Sequence, residues 1–322
     1  MTAPAAWADY VAARRDLRDA AGRLLAADFG PGLRHRLAGG PGLGVAVEFL
    51  ATACPRGWVA DNLDVVFPRA VGGGRHQRTV RDVLLAADRD ALTRRLPELV
   101  ASALAGSADQ PDDRYFVVVG LVALLEMLGD KALLAQVVAV ARAAGDPDLE
   151  ELVEDYPDSP AIAPPAPSGV APEVDPAEVA EAEWEAYAAA LRRYRKGLRG
   201  LSVEPVGEVV AAALERPADV DAAGEYVARL VAEPTGDGAG GALGEVRAAL
   251  RRAPAERLAP LWPALVAAAV VDDAGPYRNL VDLLASLDLH DAVRAALARG
   301  RTSPNPAVRA AAGETPDEPG DW

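Results

Sequence analysis

Residues able to do chemistry are thinly spread along this chain of 322 residues. The histidines are His35, His76 and His290, each alone in its neighbourhood, whereas a zinc site draws on closely spaced ligand pairs. Cys54 is the single cysteine. With no histidine placed to serve it as a base, it reads as a small core residue and not as a nucleophile. No Gly-x-Ser-x-Gly elbow is present, and no Walker lysine follows a glycine loop. The glycine-rich run Gly39-Gly40-Pro41-Gly42-Leu43-Gly44 follows a helical segment where a phosphate cradle would need a strand, so it reads as a helix–helix turn. Asp112-Asp113 and Asp272-Asp273 both precede an apolar helix, where carboxylates cap free amides and meet the positive end of the helix dipole. No catalytic residue, metal site or cofactor is expected.

The residues suited to recognition lie between Ala53 and Arg78, in an inserted loop at about 55–77. Arg56, Trp58, Asp61, Asn62, Asp64, Arg75 and His76 are the candidate partner-binding residues, because Trp and Arg are the types that most often anchor interfaces. A competing reading makes Trp58, Val65, Val66 and Phe67 a short extra helix closing the end of one domain. Arg192, Arg193, Arg195, Lys196 and Arg199 form the most basic stretch, with Tyr187 and Tyr194 interleaved. These tyrosines belong to an apolar seam, and cations late in a helix complement its negative end, so the stretch reads as a solvated helix face.

The elements carrying these residues come in two related sets. Trp7, Tyr10, Arg15, Arg18 and Leu24 recur in register as Trp184, Tyr187, Arg192, Arg195 and Leu201, an offset of 184 − 7 = 177. Glu48-Phe49-Leu50-Ala51 meets Glu225-Tyr226-Val227-Ala228 at the same offset, Val80-Arg81 meets Val246-Arg247 at 166, and Leu121-Val122 meets Leu280-Val281 at 159. Two deletions in the second copy account for the changes of offset. The layout predicted is a helical domain over 1–156, a Pro-rich linker over 157–177, a second helical domain over 178–312 and a disordered acidic tail over 313–322.

Both halves read as all-α. Trp184, Tyr187, Leu191, Tyr194, Leu198 and Leu201 advance by steps of three and four, which makes one seam along a helix. The same positions in the first half hold Trp7, Tyr10, Arg14, Leu17, Ala21 and Leu24. Breaks at Gly-Pro, Gln-Pro and Asp-Pro sequences predict about six or seven helices per half, packed as a bundle or as stacked helical pairs. Asp146-Pro147-Asp148-Leu149-Glu150 and Asn305-Pro306-Ala307-Val308-Arg309-Ala310, each closing its half after a helix, resemble the turn and second-helix start of HEAT-like helical repeats. The resemblance implies an α-helical scaffold that binds proteins, with no catalytic residues to carry over. The period visible in the chain is nevertheless the whole half.

Composition narrows the partners. With 33 Lys and Arg against 48 Asp and Glu, the formal charge is −15, which argues against nucleic acid and against an anionic membrane surface and favours a protein with a basic or neutral surface. Lys131 and Lys196 are the only lysines, a bias that GC-rich bacterial genomes impose. The single cysteine and the absence of a basic start and apolar run in Met1 to Val11 read as a cytoplasmic chain. The longest apolar stretch, Tyr115 to Leu128, is too short to cross a bilayer and reads as a core helix. The leading expectation is a non-enzymatic protein-binding scaffold or adaptor, of which a toxin-neutralising or conflict-system adaptor is one concrete form. Two others stand beside it: an enzyme or small-molecule binder with a carboxylate-lined groove, and a self-assembling homo-oligomer in which the Trp7 and Trp184 seams pair between chains.

Overall fold

Apolar side chains recurring every three or four residues lie on one face of a helix, and burying that face is what stabilises the helix in water. The computed structural model describes residues 3–107, 111–157, 180–232, 239–268, 274–303 and 305–314, and among them all regular structure is helical. In chain order the first ten helices are α1 (Ala3–Ala26), α2 (Gly30–Leu37), α3 (Leu43–Thr52), α4 (Arg56–Asp61), α5 (Leu63–Val71), α6 (Gln77–Leu85), α7 (Arg89–Gly106), α8 (Pro111–Leu128), α9 (Lys131–Ala143) and α10 (Pro147–Leu152). The next are α11 (Glu181–Leu201), α12 (Val206–Leu214), α13 (Val220–Ala232), α14 (Ala239–Arg252) and α15 (Ala255–Leu258). The last are α16 (Leu261–Ala268), α17 (Ala274–Ala285), α18 (His290–Arg301) and α19 (Pro306–Glu314).

These helices are shorter and more numerous than six or seven per half, because Pro and Gly interrupt the chain more often than its periodicity indicates. The stretch expected as an inserted loop at about 55–77 holds α4 and α5, and Leu63, Val66, Phe67 and Ala70 at helical spacing are fully buried. Pro97 lies inside the unbroken α7, whereas Pro263 falls in the first turn of α16. Asp146 caps α10 by accepting from the Asp148 N–H at 3.0 Å, and Asn305 holds the Ala307 N–H at the start of α19 at 2.8 Å.

The chain forms two compact units, and their boundaries depart from the expected domains. One, here the N-terminal unit, is residues 21–185; the other, the C-terminal unit, is residues 1–20 together with 186–322. The divisions therefore fall inside α1 and inside α11, not in the Pro-rich stretch at 157–177. That stretch, beyond Pro157, lies outside the described residues, as does the tail beyond Glu314; Gly313 and Glu314 belong to α19.

The aromatic seams explain the units. In the C-terminal unit Trp7 packs edge-on against Tyr226, with centroids 6.1 Å apart, and Tyr10 stacks with Tyr194 at 5.7 Å. α11 comes close to α1 because Gly197 lacks a side chain: a Cβ there would lie 3.1 Å from the Tyr10 Cα. Arg14 occupies an otherwise apolar seam position and is only 9 % exposed. Its Nε donates to Glu225 Oε2 at 2.6 Å, and the Tyr194 hydroxyl donates to Glu225 Oε1 at 2.7 Å, so the buried guanidinium is paired.

In the N-terminal unit Trp184, at the start of α11, packs edge-on against Phe49 at 5.2 Å. The Arg36 guanidinium lies 4.6 Å over the same ring and donates to Glu181 Oε2 at 2.7 Å and to the Gly32 carbonyl at 3.3 Å. Trp7 and Trp184 are both buried within one chain. Among the described residues no helix is long and apolar enough to cross a membrane. The apolar run in α8 buries Val118, Leu121, Leu124 and Leu125 as expected, leaving Phe116 half exposed.

Candidate functional site

Of the seven residues expected to bind a partner, Trp58, Asn62 and Asp64 are brought together, linked by hydrogen bonds within α4 and to Arg34. Arg56 and Asp61 are exposed on α4. Trp58, on the same helix, is half-buried against Phe29, with centroids 6.0 Å apart. It extends a row of rings that runs through Phe29 and Phe49 to Trp184.

Asn62 ends α4 and opens α5, its side-chain amide donating to the Trp58 carbonyl at 2.8 Å. Arg34 of α2 then holds both junction residues: Nη1 donates to Asn62 Oδ1 at 2.6 Å, and Nη2 donates to Asp64 Oδ2 at 2.6 Å. Arg75 and His76 lie in the turn after α5, where the Arg75 Nε donates to His76 Nε2 at 3.1 Å. Trp58, Asn62 and Asp64 thus fasten α4 and α5 onto α2, leaving Arg56, Asp61 and Arg75 as the exposed members of the set. Arg34 is the residue that sequence reasoning missed, since its partners lie 28 and 30 positions away.

An open surface groove lies elsewhere, in the C-terminal unit. α12 and α14 border a groove of about 630 Å³ closed at one end by α15. Its α12 wall presents Gly207, Ala211 and Leu214, and its α14 wall presents Ala248 and Ala249. Ala211 and Ala248 are exposed, so the floor is apolar and open to solvent at these residues. Glu208 and Glu215 stand exposed on the α12 rim, facing Glu245 and Arg252 on the α14 rim. Glu245 accepts the Gly207 N–H at 3.2 Å, tying the start of α12 to α14. Arg257 donates to the Leu214 and Glu215 carbonyls at 3.1 and 2.8 Å, satisfying carbonyls that the end of α12 leaves free. Nothing in the sequence flagged this groove, because a run such as Ala211-Ala212-Ala213 carries no pattern beyond helix.

No protein-family model matches the chain, and the comparisons with curated proteins and with solved structures gave no match. The groups present must therefore speak for themselves.

A second concavity, of about 490 Å³, lies among α5, α7 and α8 in the N-terminal unit. Asp64, Glu98 and Asp113 line it with Arg69 and Arg95. Asp64 is engaged by Arg34, and the Arg69 Nε donates to the Leu37 carbonyl at 2.6 Å. Among the described residues no group of three or more His, Cys, Asp and Glu side chains could hold a metal ion. Burial pushes the Cys54 thiol up to about 12, which keeps it protonated at neutral pH and unsuited to nucleophilic attack.

Proposed function

We propose that the chain is a non-enzymatic α-helical scaffold, built from two related halves, that docks another protein. The observation carrying this reading is the α12/α14 groove. Its floor is exposed alanine, its rims are charged, and its lining holds no histidine, cysteine or hydroxyl side chain that would suit it to chemistry. Apolar floors with polar rims are the usual anatomy of protein interfaces.

The duplicated architecture is supported by matched packing. Trp7 meets Tyr226 with an interplanar angle of 65°, and Trp184 meets Phe49 at 67°. Trp7 and Trp184, and likewise Phe49 and Tyr226, are 177 positions apart, so each half lends its first aromatic to the body of the other. The paired caps at Asp146-Pro147 and Asn305-Pro306 support the likeness to HEAT-like helical pairs. The charge of −15 favours a basic or neutral partner over nucleic acid or a membrane surface.

Affinity purification of the tagged full chain from its own cells tests the reading, run beside Ala211→Glu/Ala248→Glu and beside Arg56→Ala/Trp58→Ala. A stoichiometric partner lost with the first variant is expected. A chain that recovers no partner contradicts the scaffold reading. The carboxylates of the α5/α7/α8 cleft favour a second reading, a small-molecule binder. Its test is a thermal-shift screen in which a ligand raises the melting temperature of the native chain but not of Glu98→Ala.

A further inference from the structure

The N-terminal unit shows what fills the place that the groove leaves open. At the offset of 177, Gly30, Arg34 and Leu37 of α2 correspond to Gly207, Ala211 and Leu214 of α12. All three α2 positions are covered by α4 and α5. Trp58 lies over Gly30, where an added Cβ would meet its Nε1 at 3.2 Å. Arg34 holds Asn62 and Asp64, and the Leu37 carbonyl accepts from Arg69. In the N-terminal unit residues 53–76, with α4 and α5, stand between α3 and α6. The three corresponding α12 residues line the α12/α14 groove.

Charge distinguishes the two places. In the N-terminal unit the scaffold supplies the cation, Arg34, and the seated helix supplies the anion, Asp64. In the C-terminal unit the scaffold position is Ala211, and Glu208 and Glu215 flank it. These two carboxylates are seven residues apart, two turns, or about 10.5 Å along the axis of α12. The opposite side carries Glu245, which accepts the Gly207 N–H, with Arg252 and Arg257, which donate to backbone carbonyls, so the unbonded acidic charge of the lining is concentrated on the α12 rim. A helix lying along α12 would satisfy this rim with cations seven positions apart on one flank, while its apolar seam covers Ala211 and Ala248.

From this we infer that the α12/α14 groove seats a cationic amphipathic helix of another protein, in the place that α4 and α5 take in the N-terminal unit. The inference rests on the scaffold reading above and on the correspondence of the halves. It belongs to the helix-in-groove mode of recognition, with apolar anchors for affinity and rim charges for orientation.

The test uses the full chain and a fluorescently labelled synthetic amphipathic helix with a Leu/Val seam and lysines seven positions apart, beside a matched probe with glutamates in their place. Fluorescence anisotropy is expected to rise with the lysine probe alone. Ala211→Arg fills the exposed floor and adds a positive charge to it, and is expected to weaken binding by roughly tenfold or more. Glu208→Gln/Glu215→Gln is expected to weaken it and to flatten its salt dependence. Unchanged circular dichroism melting shows that each variant is folded. Equal binding of the lysine probe to native chain and Ala211→Arg overturns the inference, as does equal binding of both probes, or of neither. Association of the chain with itself that Ala211→Arg abolishes also overturns it, by making the occupant a second copy. A captured partner that docks without a cationic helix overturns this inference and leaves the scaffold reading standing.

Discussion

Arg34 on α2 grips Asp64 on α5 with both guanidinium nitrogens, Nη2 to Oδ2 at 2.6 Å and Nη1 to Oδ1 at 3.3 Å. Both side chains are largely shielded, at 18 % and 30 % exposure. The pair converts what reads as an excursion of the chain into part of the packed body, since Asn62 shares the same arginine. Arg34→Ala leaves two polar groups without this donor. It is expected to lower stability by about 1–2 kcal/mol, less than a fully buried pair because water still reaches Asp64. Urea denaturation measures it, and an unchanged midpoint would show that the clamp contributes nothing.

Gly32 is held to glycine by Trp184. A Cβ there would lie 2.3 Å from the indole Nε1 and 2.9 Å from Cδ1, so the ring must move. Gly32→Ala should cost about 1–3 kcal/mol, the range for forcing an extra methyl into a packed core. It should also shift tryptophan emission to the red as the ring leaves Phe49 and Arg36. Native emission with native stability would contradict this packing.

Alkaline pH should unfold the chain through its buried phenols. Burial first and the Glu225 charge second push Tyr194 from 10.0 up to about 12. Tyr10 is raised further, by burial and then by Tyr194 and Glu225. Because the folded values lie above the unfolded one, the neutral phenols stabilise the fold fully below about pH 10, and that contribution is lost as pH rises toward about 12. The urea midpoint should hold steady up to about pH 9.5 and fall above about pH 10, with a smaller fall in Tyr194→Phe. A midpoint that stays level through that window would refute the assignment.

The Cys54 thiol should be inert while the chain is folded. Burial raises it to about 12, so the thiolate is scarce at neutral pH. Iodoacetamide is expected to label it at least about tenfold more slowly in the native chain than in urea. Equal rates would place the thiol at an ordinary exposed site.

Much of this fold is legible in the sequence. The steps of three and four from Trp184 to Leu201 mark a face that is buried at Trp184, Tyr187, Leu191, Tyr194 and Leu201. Arg14, the one charge in the matching seam of α1, is buried as the spacing requires. Which body a seam packs against is not legible, because periodicity fixes a face and not its neighbour; Trp7 meets Tyr226, far along the chain. α4 and α5 read as a loop because Pro55, Gly57 and Gly72-Gly73-Gly74 punctuate two helices too short to show a full stripe. The candidate site was the least legible part. Trp58 has an anchor's chemistry but spends it on Phe29, while Ala211 and Ala248 have none and gain importance only from the groove they floor.

A photo-crosslinking residue placed at Ala211, and in a second chain at Arg56, decides between the groove and the exposed face of α4 as the docking surface. Irradiated in the cells that make the protein, the chain modified at 211 should form a covalent adduct with a partner polypeptide, and the chain modified at 56 should not. An adduct formed at 56 alone would contradict the groove and return the interface to α4.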